Sequence, residues 1–188
     1  MGQYVIGIDF GTLSGRASLV NCSDGCVLAS AVYDYPHGVM DSTLPDGTPL
    51  APDWALQYPQ DYLDVLDHTL PRILRESGVS TQEVVGIALD VTASTAMPVR
   101  KDGTPLCFLE AYSGTPHAYV KLWKHHGAQR YADEMTRVAV QRNEPWLSAY
   151  GGKVSGEWSF PKLWQVLDEA PEIYDAMDGW VEAADWIV

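Results

Sequence analysis

Two stretches of the chain end an apolar run in an aspartate and then turn to small hydroxyl residues. They are Asp9-Phe10-Gly11-Thr12-Leu13-Ser14-Gly15-Arg16 and Asp90-Val91-Thr92-Ala93-Ser94-Thr95. Residue types in that order suit phosphoryl transfer, which needs positioned amides, a carboxylate to hold a metal ion and a cation for the transferring charge. A strand, tight turn and strand with Asp9 at the first strand's end presents backbone N–H groups and hydroxyls to one point, an anion cradle with an acid beside it for a metal. Arg16 points back from the second strand and could stabilise charge on a phosphate. Gly11 and Gly15 bracket the turn, where the backbone is expected to take conformations that a Cβ resists. If the strands carrying Asp9 and Asp90 share one sheet, both acids serve one cleft. The same residues also read as an ordinary hairpin satisfying its own turn, with Asp90 as a cap and Arg16 as a surface arginine.

The elements that must position these residues follow from pattern. Residues 5–8 are an apolar, β-branched run and read as a buried strand. Residues 17–21 return, Asp24-Gly25 turns the chain, and residues 27–35 make a third strand, giving an antiparallel meander. Residues 36–58 hold Pro36, Gly38, Pro45, Gly47, Pro49 and Pro52 and read as a long loop. Pro59 opens a helix that Gly78 ends, with Pro71 inside it expected to kink or split it. Residues 84–89 read as a second buried strand and 96–99 as an extended stretch. Thr115-Pro116 reads as a helix start, with helix to Gly127, and residues 129–140 as a further helix. Residues 157–167 are helical in pattern apart from Pro161, and 181–184 are extended. Asp185 reads as an N-cap opening an apolar first turn at Trp186-Ile187-Val188. A first turn alone cannot propagate, so the chain is expected to be part of a longer protein.

Composition narrows the class. Of 188 residues, 46% are hydrophobic and 20% charged, which suits a globular chain with a real core. A formal net charge of −13 argues against a sequence-independent nucleic-acid surface or an anionic membrane surface. Cys22, Cys26 and Cys107 are odd in number and lack the second pair of a zinc site, so free thiols are expected. There is no charged-then-apolar leader and no apolar run of about 20 residues, so the expectation is a cytoplasmic protein without a membrane span. Lys121, Lys124, His125 and His126 read as a basic patch on one helix, more a solvated face than an anion site; the adjacent histidines make a poor metal pair. The seven tryptophans read first as core.

Residues 8–17, Ile8-Asp9-Phe10-Gly11-Thr12-x-Ser14-Gly15-Arg16-Ala17, resemble the first phosphate motif of the FGGY carbohydrate kinases, in the actin-like ATPase superfamily. Four further stretches are similar to ribulose-phosphorylating members of that family: Pro116-His117-Ala118-Tyr119-Val120-Lys121-Leu122-Trp123-Lys124-His125-His126, Gly151-Gly152-Lys153 with Glu157-Trp158, Phe160-Pro161-Lys162-Leu163-Trp164, and Glu182-Ala183-x-Asp185-Trp186-Ile187-Val188. The likeness spans essentially the whole chain. It implies an α/β fold, a ribonuclease H-like or actin-like ATPase lobe with a mixed sheet flanked by helices, here truncated. Residues 1–188 would be an incomplete N-terminal kinase lobe, with the second lobe absent.

The resemblance further implies ATP and Mg2+, and phosphorylation of L-ribulose at its 5-hydroxyl. It places Gly11, Thr12, Leu13 (through its backbone) and Ser14 around the ATP phosphates, with Arg16 beside them and Asp9 near the metal. Asp90, Thr92, Ala93, Ser94, Thr95 and Ala96 would line the pentulose, Ala96 closest. Asp90 departs from the glutamine of many sugar kinases, and the Trp-x-Asp-x-Arg sugar motif is missing near His117. Both departures favour ribulose over glycerol or xylulose as substrate. The catalytic-base aspartate would lie beyond Val188, so the 188 residues alone are expected to be inactive, and the full-length protein to form a homodimer. Another pentulose kinase of the family, or a non-catalytic sugar-binding lobe, fits the same motifs. A Rossmann dehydrogenase does not, because these glycines join two strands rather than a strand and a helix.

Overall fold

The computed structural model describes residues 2–188, whose backbone forms two compact units. The first holds residues 2–38, Tyr58–Thr92 and Ile187–Val188; the second holds Val39–Gln57 and Ala93–Trp186. Among the described residues, eight strands form two four-stranded sheets.

The first unit is built on β1 (Tyr4–Phe10), β2 (Ser14–Asn21) and β3 (Val27–Asp34), the expected antiparallel meander. A fourth strand, β5 (Val84–Val91), lies parallel to β1, so the sheet is mixed, in the order β3-β2-β1-β5. Alternation sets the faces: Ile6, Ile8 and Phe10 of β1 and Ala17 and Leu19 of β2 are buried, while Asp9 and Arg16 lie on the opposite face. α1 (Pro59–Ser77) supplies the cover, burying Tyr62, Val65 and Ile73 at helical spacing. Its first turn is tied to the end of β3 by Asp61, which accepts from the His37 backbone and lies 2.7 Å from His37 Nδ1.

Three expectations change here. Pro71 neither splits nor ends α1, which runs unbroken to the left-handed Gly78. Pro71 and Asp67 are both exposed, so the carbonyl that loses its N–H donor meets water instead. The glycines of the first turn serve space rather than unusual dihedrals, since neither Gly11 nor Gly15 has positive φ. A Cβ on Gly15 would sit 2.5 and 2.6 Å from the Val65 methyls, and one on Gly11 would sit 3.1 Å from the Ser14 carbonyl oxygen. β5 is not a buried strand: it is the sheet's outer member, with Val85 56% and Ile87 58% exposed.

The second unit centres on an antiparallel sheet ordered β4-β7-β6-β8, made of β4 (Leu56–Gln57), β6 (Ala96–Val99), β7 (Val120–Lys121) and β8 (Gly179–Glu182). Around it pack α2 (Gln129–Gln141), α3 (Ser159–Glu169), the short α4 (Pro171–Ala176) and α5 (Ala183–Trp186). Pro161 falls in the first turn of α3, where its missing N–H would have had no helical acceptor. Asp185 lies inside α5 rather than capping it.

The largest departure is at residues 115–127. A 3-10 turn at Pro116–Ala118 leads straight into β7, and turns follow to Gly127. Pairing of β7 with both β4 and β6 overrides the local helical pattern.

Candidate functional site

In the first unit, chain direction and register bring the candidate phosphate residues together. Asp9 on β1 is the register partner of Asp90 on parallel β5 and of Arg16 on antiparallel β2. Same-row residues in a sheet share a face, so Arg16, Asp9 and Asp90 form one row across three adjacent strands. Arg16 Nε is 3.1 Å from Asp9 Oδ2. Both side chains are open to solvent, Arg16 at 56% and Asp9 at 42%, so this ion pair contributes little to stability and stays accessible to a ligand.

The turn beside that row is closed by Gly11 N–H donating to the Ser14 carbonyl at 3.0 Å. Leu13 at its tip is exposed, and its carbonyl accepts from the Tyr35 N–H at 2.9 Å, which fixes the loop against the end of β3. Thr92 N–H donates to the Phe10 carbonyl at 3.4 Å, so the chain leaving β5 stays beside the end of β1. Thus Asp9, Gly11, Thr12, Leu13, Ser14, Arg16, Asp90 and Thr92 belong to one unit, at the ends of β1 and β5. Among the described residues no three of His, Cys, Asp and Glu gather as a metal cluster. An adjacent pair of aspartates still fits Mg2+, which commonly takes one or two carboxylates with phosphate oxygens and water.

Ala93, Ser94, Thr95 and Ala96 open the long segment of the second unit. Ser94 holds φ at +54°, a left-handed conformation uncommon for a residue with a Cβ. Thr95 N–H donates to Glu182 Oε2 at 2.8 Å, and Ala96 then enters β6.

The expected basic patch is divided: His126 is exposed, 2.8 Å from Glu157, and Lys124 is half-buried, while the other two members turn inward. Lys121 and His125 are fully buried and His117 nearly so, around the Trp54 indole. The Lys121 ammonium stands 4.1 Å over the Trp54 ring centroid, a cation–π contact. His125 accepts from the Ala55 N–H at Nδ1, 3.3 Å away, which leaves Nε2–H to donate to Gln165 Oε1 at 2.9 Å. Burial, with Lys121 adding to it, pushes His117 down to about 3 and His125 down to about 2, so both rings are neutral. Burial likewise pushes Lys121 and Lys162 down to about 7, against the pull of Glu169 and Glu182 respectively. Among the described residues, His117 Nδ1 and Lys121 Nζ are buried without a hydrogen-bond partner.

Of the tryptophans Trp54 is the most buried, whereas Trp123 and Trp146 are exposed. All three cysteines are free thiols, with Cys107 buried. No helix among the described residues is long and apolar enough to cross a membrane.

The chain is 49% identical to ribulokinase from Shouchella clausii over all of its own length, and 51% identical to ribulokinase from Mycolicibacterium smegmatis over 99% of it. Over its whole length the chain is homologous to ribulokinases. It spans about a third of the length of these curated relatives, 34% and 33% respectively. A solved xylulose kinase from Rhodospirillum rubrum shares the fold, with a TM-score of 0.74 at 22% identity, over 98% of this chain and 33% of that one. No protein-family model matches the chain. The α/β fold described above is therefore that of the matching third of this solved sugar kinase, as the resemblance of the opening motif implied.

Two residues had drawn no individual role from the sequence, Lys162 and Glu182. Lys162 carried a signal: it falls on the buried stripe of α3 with Gln165 and Val166, where a solvated lysine does not belong. Glu182 offered none, because its partner Thr95 is 87 positions away.

Proposed function

We propose that this chain is the N-terminal part of an ATP-dependent L-ribulose 5-kinase, and that the hairpin end of its first unit handles the nucleotide phosphates. The register partnership of Asp9 and Asp90, with Arg16 3.1 Å from Asp9, carries the reading. Asp9 supplies the kind of carboxylate that a phosphate-bound Mg2+ takes, Asp90 stands beside it on the same row, and the Arg16 guanidinium complements phosphoryl charge. Bound there, Mg2+ would supply charge neutralisation on the phosphates. The turn residues Gly11, Thr12, Leu13 and Ser14 would contact the phosphate chain, and the small Gly11 keeps the backbone approachable. Residues 93–96 are assigned to the sugar, together with Asp90 and Thr92.

In the reaction the sugar hydroxyl oxygen bonds to the γ-phosphorus as the bond to the β-phosphate oxygen breaks, and ADP leaves. The hydroxyl proton passes to a base outside these 188 residues. Homology to proteins named ribulokinase supports the choice of ribulose.

The test is a coupled ADP-release assay on the full-length protein with a panel of pentuloses. L-ribulose should give the highest kcat/KM, and activity should vanish without Mg2+. Turnover of D-xylulose or D-ribulose in preference would reassign the substrate, and sugar binding with no ADP release would make the protein a sensor rather than a kinase.

A further inference from the structure

Residues 93–96 are held by two side chains from distant elements of the same unit. The Lys162 ammonium, on the buried side of α3 with no measurable exposure, donates to the Ser94 carbonyl at 2.6 Å and to the Leu122 carbonyl at 2.8 Å. Glu182, the last residue of β8, accepts from the Thr95 N–H at 2.8 Å. The chain is closed from the other side by Ala183 N–H, which donates to the Thr95 carbonyl at 2.7 Å. Ala96 then pairs in register with Lys121 on one side and Glu182 on the other. Three successive residues therefore have their backbone pinned from α3, β7 and β8.

A buried ammonium is an expensive way to join two carbonyls. Replacing buried charged groups by apolar residues of similar volume is often neutral or stabilising, so packing alone gives no reason for a lysine here. Geometry gives one. Ser94 sits at φ +54°, and a left-handed non-glycine residue persists where its surroundings over-determine it. The 2.6 Å contact from Lys162 falls on the carbonyl of that very residue.

We propose that Lys162 is a positioning residue for the sugar, acting with Glu182 by locking the backbone of residues 93–96 into the conformation that meets the substrate. The inference rests on the assignment of residues 93–96 to the pentulose made above. Lys162 itself does not touch the reacting atoms. Its effect is on sugar binding, because it fixes the loop before the sugar arrives and so removes an ordering cost from binding. ATP binding is independent of it.

The experiment uses the full-length protein, with wild type, Lys162→Met, Glu182→Ala and Glu182→Gln. Glu182→Gln keeps an acceptor for the Thr95 N–H, whereas Glu182→Ala does not. Lys162→Met and Glu182→Ala should each raise the KM for L-ribulose by about tenfold, the equivalent of about 1.4 kcal/mol, with the KM for ATP within about twofold of wild type. Glu182→Gln should restore the sugar KM. Amides of residues 94–96 should exchange with deuterium faster in Lys162→Met and Glu182→Ala, and slow again on adding L-ribulose. An unchanged sugar KM in folded Lys162→Met overturns the proposal, as does an equal rise in both KM values. If Lys162→Met fails to fold, the alanine and glutamine pair at Glu182 decides by the same criteria. A wild type that binds L-ribulose without transfer leaves the sugar Kd as the readout, and one that binds no pentulose overturns the functional reading and this proposal with it.

Discussion

Asp9 and Asp90 stand side by side on parallel neighbours β1 and β5, partners in register, and Arg16 reaches across from β2 to bind the first of them. Two like charges gathered on one sheet face do not help folding, and an exposed ion pair contributes between zero and about 1 kcal/mol. The row is better explained by what it can hold than by what it stabilises.

That separation makes a test. In the full-length protein, Asp9→Asn and Asp90→Asn should each lower kcat by about a hundredfold or more, and Arg16→Ala by about tenfold, while thermal stability moves by no more than about 1 kcal/mol in any of them. Asp9→Asn should also weaken the Mg2+ dependence of nucleotide binding, measured by titrating Mg2+ against a fluorescent ATP analogue. A variant that keeps full kcat removes its residue from the phosphate site.

Gly15 gives a second, purely steric prediction. Its Cβ would fall 2.5 and 2.6 Å from the methyl carbons of Val65, which is fully buried on α1. Gly15→Ala should destabilise by about 1–3 kcal/mol, the usual cost of overpacking a filled site. Val65→Ala opens the space, so the double variant should lose less than the two single variants together, by denaturant titration. Additive losses would mean that Gly15 is needed for its backbone rather than for its size.

Much of the first unit was legible because its signals are local. A β-branched run, a three-residue turn and an amphipathic helix opened by Pro59 and closed by Gly78 each lie within a few residues, and β1, β2, β3 and α1 followed from them. The row of Asp9 and Asp90 was readable as two similar stretches, but their register required the sheet. Residues 115–127 misled because the lysines and histidines there were weighed against their neighbours in sequence. The partners of Lys121, His117 and His125 are Trp54, Gln165 and Glu169, some tens of positions away; burial against these encloses all three and leaves the two imidazoles neutral, while His126 stays exposed beside Glu157. Gly11 and Gly15 misled in another way: a glycine in sequence marks a need for freedom or a need for room, and only packing separates the two.

Pro71 is a site where the protein is improvable. It sits in the interior of α1 on the exposed face, where it costs one helical hydrogen bond. Pro71→Ala should raise stability by about 1–2 kcal/mol: the helix recovers most of the roughly 3 kcal/mol that an interior proline costs, and the freer unfolded chain takes back about 1. The measurement is the shift in denaturation midpoint at constant slope. No gain would mean that α1 is already bent to accommodate the ring.

The enclosed imidazoles predict how the protein responds to acid. His117 and His125 are held neutral by burial, at about 3 and about 2, whereas in the unfolded chain each titrates near the ordinary 6.5. Below 6.5 the unfolded state therefore binds more protons than the folded state, so stability falls with falling pH from there down towards 3. Each ring contributes a slope of about 1.4 kcal/mol per pH unit once its unfolded form is protonated. Folded His125 cannot accept a proton at Nδ1 without losing the Ala55 N–H, and Lys121 and Lys162 oppose a further positive charge. His125→Gln should therefore flatten the pH dependence of stability between 6 and 4 by about half of the two rings' combined slope, even if it is less stable at neutral pH. An unchanged slope in that variant would mean that His125 is protonated in the folded protein, and that the cluster around Trp54 is wetter than its burial indicates.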